Sequence, residues 1–134
     1  MDSITQEHRS WNMSRIKGRD TEPEMIVRSV LHRLGLRFRL HKRDLPGRPD
    51  ITLKKYRTVV FVHGCFWHRH RKCSMAYSPK SNQKFWSDKF KANVDRDRTV
   101  VGTLRRMGWR VIVVWECQTS ERDVLSRRLK SILR

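Results

Sequence analysis

LPGRPDITLKKYRTVVFVHGCFWH, residues 45–68, is the stretch on which the fold turns. Leu45-Pro46-Gly47-Arg48-Pro49 breaks the chain, because its prolines fix φ and withhold N–H donors while its glycine admits turn conformations. Two short β-branched, apolar segments follow, Asp50–Leu53 and Thr58–Val62, separated by Lys54-Lys55-Tyr56-Arg57. This pattern predicts a β-hairpin. Residues 63–80, crowded with His, Cys and basic groups, predict a loop.

Upstream, Thr21-Glu22-Pro23-Glu24 has the form of a helix start: a Thr cap, Pro in the first turn and Glu three after the cap. Ile26, Val27, Val30, Leu31 and Leu34 then recur at helical spacing until Gly35. Leu36 to Leu40 alternates apolar and basic residues, which predicts a strand. Residues 1–18 are expected to form an arm or short helix. Downstream, Ser81 to Met107 predicts a long helix whose inward stripe is Phe90, Val94, Val101 and Leu104, stopped by Gly108. Trp109–Trp115 (WRVIVVW) predicts a strand covered on both faces, and residues 121–133 a closing helix. The order α-β-β-β-α-β-α gives an α/β fold, a mixed sheet flanked by helices in three layers. One domain over residues 1–134 is expected, long enough to bury a core without disulfides.

Charge limits the partners. Thirty-one Lys and Arg against 13 Asp and Glu give a formal +18 on 134 residues. They are spread along the whole chain, so a basic folded surface that meets a polyanion is expected. No apolar run spans a membrane and the N-terminus has no secretory pattern, which predicts a cytoplasmic, nucleoid-associated protein.

Three groups of residues could carry chemistry. Cys65, Cys73 and Cys117 with one histidine make a complete tetrahedral zinc set. Spacing does not choose between His68 and His70, and the alternative is that Cys73 and Cys117 are ordinary buried thiols. Asp50, at the head of one strand and beside the end of another, can hold Mg²⁺ against a phosphate. Proline-aspartate before a hairpin is the outline of the PD-(D/E)xK nucleases, but Phe61-Val62-His63 stands where the acid-x-lysine half would be. Asp97 continues the inward stripe of the long helix and so requires a partner, either a histidine or an arginine such as Arg48. Phe66-Trp67 and Phe85-Trp86 lie among cations. At least one ring of the first pair is expected to be exposed and to wedge between bases, whereas core packing is expected for Phe85, Trp109 and Trp115.

RSWNM (9–13), RDTEPE (19–24), LPGRPD (45–50), FVHGCFWH (61–68), FW (85–86), NVDRDR (93–98) and GWRVIVVWEC (108–117) run in order over nearly the whole chain. Together they resemble the very short patch repair (Vsr) endonucleases. The resemblance implies a restriction-endonuclease-like fold with a structural zinc site. It also implies a Mg²⁺-dependent nick on the 5′ side of the thymine in a T:G mispair, made by a monomer, in company with other mismatch-repair proteins. It assigns Mg²⁺ to Asp50 and the main-chain carbonyl of Val62, with Glu24 in the ion's water shell. His68 backed by Asp97 becomes the general base, and His63 lies at the phosphate. Cys65, His70, Cys73 and Cys117 hold zinc. Phe66, Trp67 and Trp86 enter the duplex from the major groove and Met13 and Ile16 from the minor groove, while Lys89 and Asn93 read the mispair. Familiar members carry Thr at position 62 and histidines where this chain has Arg69, Arg71 and Lys72. Two other readings compete: a zinc-stabilised DNA-binding module without catalysis, and a Vsr-like nuclease with a different trigger or a defence role.

Overall fold

The computed structural model of the chain describes residues 21–133; Met13, Ile16 and the expected arm over residues 1–18 lie outside them. Helix α1 (Glu22–Arg33) starts as its sequence dictates: the Glu24 N–H donates to Thr21 Oγ1, and Pro sits in the first turn. Gly35, at φ 77°, turns the chain after the helix.

Four strands follow in the order β1-β2-β3-β4: β1 (Arg39–Leu40), β2 (Ile51–Leu53), β3 (Thr58–His63) and β4 (Arg110–Trp115). The first three pair antiparallel and β4 lies parallel to β3. The predicted hairpin is present, joined by a 3-10 turn over Lys54–Tyr56 and a left-handed Arg57. The expected strand over Leu36–Leu40 shortens to Arg39–Leu40. Leu36 turns into the core, and His41, at φ 48°, bends the chain out of the edge. The expected loop over 63–80 contains a one-turn helix, α2 (Cys65–His68). Helix α3 (Gln83–Arg106) connects to β4, and α4 (Arg122–Leu129) ends in a 3-10 turn over Lys130–Leu133.

Strand alternation divides the interior into two layers. On one face, Ile51, Leu53, Val60 and Val114 pack with Val27, Val30 and Leu31 of α1 and Leu125 and Leu129 of α4. On the other, Val59 and Phe61 pack with Leu104 of α3, Leu45 and Trp109, with Val111 and Val113 alongside. The apolar run of β4 contributes to both layers, but β4 is an edge strand in which only Val114 is fully buried, less covered than its composition predicts.

The parallel β3–β4 pairing decides where function sits. It registers His63 against Trp115, so the segments that follow, Gly64-Cys65 and Glu116-Cys117, emerge side by side. Because β2 runs antiparallel, its head, Asp50, is at that same end. The turn before Asp50 is held down by close packing. A Cβ added at Gly47 (φ 72°) would lie 2.4 Å from Val100 Cγ1, whereas one added at Gly35 meets nothing within 4 Å. Both positions carry the left-handed cost to a side chain, about 1–2 kcal/mol. Gly47→Ala should lose a further 1–3 kcal/mol or so by overpacking, and urea denaturation of the two alanine variants measures that difference. Equal losses would contradict the packing.

Candidate active site and metal centre

Asp50 precedes β2, and its Oδ2 accepts the main-chain N–H of Val62 at 2.7 Å. Burial pushes its carboxyl up to about 7, against the pull of that hydrogen bond and with a further push from the neighbouring Glu24 carboxylate. Glu24 is 2% exposed. Third after the Thr21 cap, it suits a capping box, and the family resemblance assigns it to the metal's water shell; its Oε1 lies 2.7 Å from His41 Nε2 and 3.3 Å from Arg28 Nη2. Carboxylate oxygens of Glu24 and Asp50 and a ring nitrogen of His41 all fall within 4.8 Å of one another. A buried and a half-buried acid this close repel, and a dication bound between them would relieve the repulsion.

Next to this pair stand two histidines. His63 ends β3 and His68 ends α2; their rings stack at 3.9 Å between centroids and 6° between planes. Burial pulls His63 down to about 4, helped by the charge of His68, so it is a neutral imidazole at physiological pH. His68 Nδ1 meets Asp97 Oδ2 at 2.5 Å, which leaves Nε2 for other work. Asp97 comes from the middle of α3, so its partner is a histidine rather than Arg48. A carboxylate at Nδ1 fixes the tautomer and stabilises a protonated ring, which suits His68 to accept a proton at Nε2.

Behind α2, Cys65, His70, Cys73 and Cys117 converge, one ligand atom from each lying within 4.8 Å of the others. His70 Nδ1 is 3.7 Å from Cys65 Sγ and 3.4 Å from Cys117 Sγ. The histidine of this group is thus His70, while His68 faces Asp97. Of the three thiols only Cys65 is buried, so the ordinary-buried-thiol alternative fails for Cys73 and Cys117. Burial pushes Cys65 up to about 12 and also raises Cys117, whereas the Met75 N–H draws Cys73 down. Three thiols and an imidazole facing one point are the donor set of a tetrahedral thiophilic ion, which would displace the thiol protons.

The aromatic expectations need two corrections. Phe66 and Trp67 are both half-buried, packed edge-on to each other and against Trp86. Trp86 is 4% exposed, stacked on Phe90, and so forms the floor of the aromatic group rather than its exposed tip. Phe85, expected in the core, is 58% exposed, because helical geometry turns it away from its buried neighbour. Asn93 Nδ2 donates to the Trp67 carbonyl and Lys89 Nζ lies 5.9 Å from the Trp67 ring centre, so both frame this cluster. Sequence reasoning missed His41 and Arg28. Neither falls in a motif, and only the turn at His41 brings its ring to Glu24.

Residues 1–75 match the family model described as DNA mismatch endonuclease Vsr. The "Type II nicking enzyme V.XorIIP" of Xanthomonas oryzae is 47% identical over 98% of this chain and 96% of its own length. The "DNA mismatch endonuclease Vsr" of Escherichia coli is 45% identical over 88% of this chain and 75% of its own.

The chain belongs to the Vsr DNA mismatch endonuclease family.

As a Vsr-family protein it is a DNA endonuclease. In fold it is similar to the catalytic domain of the homing endonuclease I-Bth0305I, with TM-score 0.59 and 18% identity, over 84% of this chain and 94% of that one. Among the described residues, no helix is long and apolar enough to cross a membrane.

The cysteine cluster is testable by metal content. One thiophilic divalent ion per chain is expected, and Cys117→Ser should lose it. Ion at a thousandfold above its Kd adds about 4 kcal/mol of stability, so chelation should lower the Tm of the parent and barely move that of the variant. A metal-free parent whose Tm ignores chelator would contradict the site.

Proposed function

We propose that this endonuclease nicks one strand of duplex DNA on the 5′ side of the thymine in a T:G mispair. In this reading Mg²⁺ binds at Asp50, and structural Zn²⁺ is held by Cys65, His70, Cys73 and Cys117. The observation that carries the proposal is the half-buried Asp50 carboxylate bonded to the Val62 N–H, one stacked histidine pair away from Asp97.

Mg²⁺ takes a few protein oxygens and keeps waters and phosphate oxygens for the rest. Here the oxygens would be the Asp50 carboxylate and the Val62 carbonyl. A strand residue in hydrogen-bonded register presents N–H and C=O to the same edge, and the Val62 N–H is turned to Asp50. A main-chain oxygen replaces the second acid that the hairpin lacks, and valine at 62 is compatible with that because the side chain takes no part. Bound there, Mg²⁺ supplies charge neutralisation at the scissile phosphate. The rest of the reaction falls to side chains. Glu24 holds water on the far side of Asp50. His68 takes the proton of the attacking water at Nε2, and Asp97 stabilises the resulting imidazolium. His63, neutral, donates a hydrogen bond to a phosphate oxygen. The Asp97–His68 pair is also what separates this reading from a binding module without catalysis, which has no use for such a couple.

Recognition falls to the basic surface and the aromatic group. Phe66 and Trp67 would wedge into the duplex from the major groove with Trp86 beneath them, and a mispaired step unstacks more easily than a paired one. Lys89 and Asn93, beside Trp67, would read the mispair, with Met13 and Ile16 entering the minor groove. The restriction-endonuclease-like architecture, a nucleoid location, monomeric action and a place beside other mismatch-repair proteins complete the proposal.

A different trigger is favoured by one observation: several relatives are nicking enzymes by name. Sequence context around the mispair would then differ from chain to chain. Matched and T:G duplexes in several contexts, labelled on each strand, separate the readings.

Two substitutions test the chemistry. Asp50→Ala should abolish Mg²⁺-dependent nicking while duplex binding survives in a gel-shift assay; nicking retained by that variant would end the metal assignment. Asp97→Asn should slow single-turnover nicking by about 10²- to 10⁴-fold, the ordinary worth of a positioned general base. A loss below tenfold would remove His68 from that role.

A further inference from the structure

His41 touches both acids of the candidate Mg²⁺ site by different means. Its main-chain N–H donates to the Asp50 carbonyl at 3.1 Å, and its imidazole Nε2 lies 2.7 Å from Glu24 Oε1. His41 stands at a left-handed φ of 48°, a conformation uncommon for a non-glycine residue. The residue lies directly after the two-residue edge strand β1, where the Leu40–Ile51 pairing ends. Arg28, one turn further along α1, approaches the same Glu24 oxygen at 3.3 Å. Glu24 is 2% exposed, and a carboxylate so deeply buried keeps its charge and its orientation only through partners.

We infer that His41 is a positioning residue that fixes the Glu24 carboxylate relative to Asp50, so that the water shell of the active-site dication is held before DNA arrives. This rests on the metal reading of Asp50 and goes beyond it, giving a role to a residue outside every motif. The imidazole acts through Glu24 and is not itself a metal ligand. Its Nε2–H donates to Oε1, the arrangement by which outer groups orient metal-site carboxylates.

Two variants separate this role from bulk structure. His41→Asn tolerates the left-handed backbone but is too short to reach Glu24. His41→Gln places an amide N–H at the depth of Nε2. The probe is Mn²⁺ binding to the full chain without DNA, followed by electron paramagnetic resonance, alongside Mg²⁺ dependence of nicking on a T:G duplex. His41→Asn should weaken both by about 10- to 100-fold, the usual cost of losing such a partner, with its Tm close to the parent. His41→Gln should recover most of the loss, and the Mn²⁺ signal should carry no coupling to a nitrogen. Unchanged affinity in His41→Asn would overturn the inference, as would equal losses in both variants. A nitrogen coupling abolished by His41→Asn would overturn it too, making the ring a ligand. If the parent shows no Mn²⁺ binding that Asp50→Ala abolishes, the metal reading itself falls and takes this inference with it.

Discussion

The Asp50 carboxylate is held in a half-buried position by a single main-chain donor, the Val62 N–H, at the point where β2 begins and β3 is about to end. That hydrogen bond constrains everything around it. Burial there pushes the carboxyl up to about 7 against the pull of that bond, a cost that a bound cation would offset. The bond also sets the edge to which the Val62 carbonyl points. A group that costs stability when charged and alone is a group whose charge has a use, and the surrounding acid Glu24 and the histidine pair are consistent with one.

The sheet topology turns this local arrangement into a site. Antiparallel β2–β3 pairing brings Asp50 to the end of β3, and the parallel β4 delivers Cys117 to Cys65 from 52 residues away. Helix α2, four residues long, links the two centres. Its first residue, Cys65, belongs to the thiol cluster and its last, His68, to the Asp97 pair. A helix this short has little stability of its own. The ion expected at the thiols would therefore set the position of His68, the proposed general base, and losing that ion would misplace His68 without touching Asp50.

Much of this was legible in the residues. The Thr21 cap, the proline-rich turn, the paired β-branched segments and the long stripe from Phe90 to Leu104 each obey a local rule, and each element appeared near its expected place. Asp97 was readable because a carboxylate on an apolar stripe demands a partner. Three features were not legible from spacing and periodicity alone, for a shared reason, although the family resemblance did point to His70. His41 depends on a backbone bend that no residue type announces. The choice of His70 over His68 depends on where α2 ends. The exchange of Phe85 for Trp86 as the exposed ring depends on the rotational phase of α3 against α2. All three are set by tertiary packing, which periodicity and spacing do not encode.

Anomalous diffraction from crystals of the full chain soaked in Mn²⁺ measures directly where the proposed catalytic cation binds. One peak is expected at ligand distance from both the Asp50 carboxylate and the Val62 carbonyl, separate from any scatterer at the cysteines. A peak bound by the imidazole of His68, or none near Asp50, would contradict that placement.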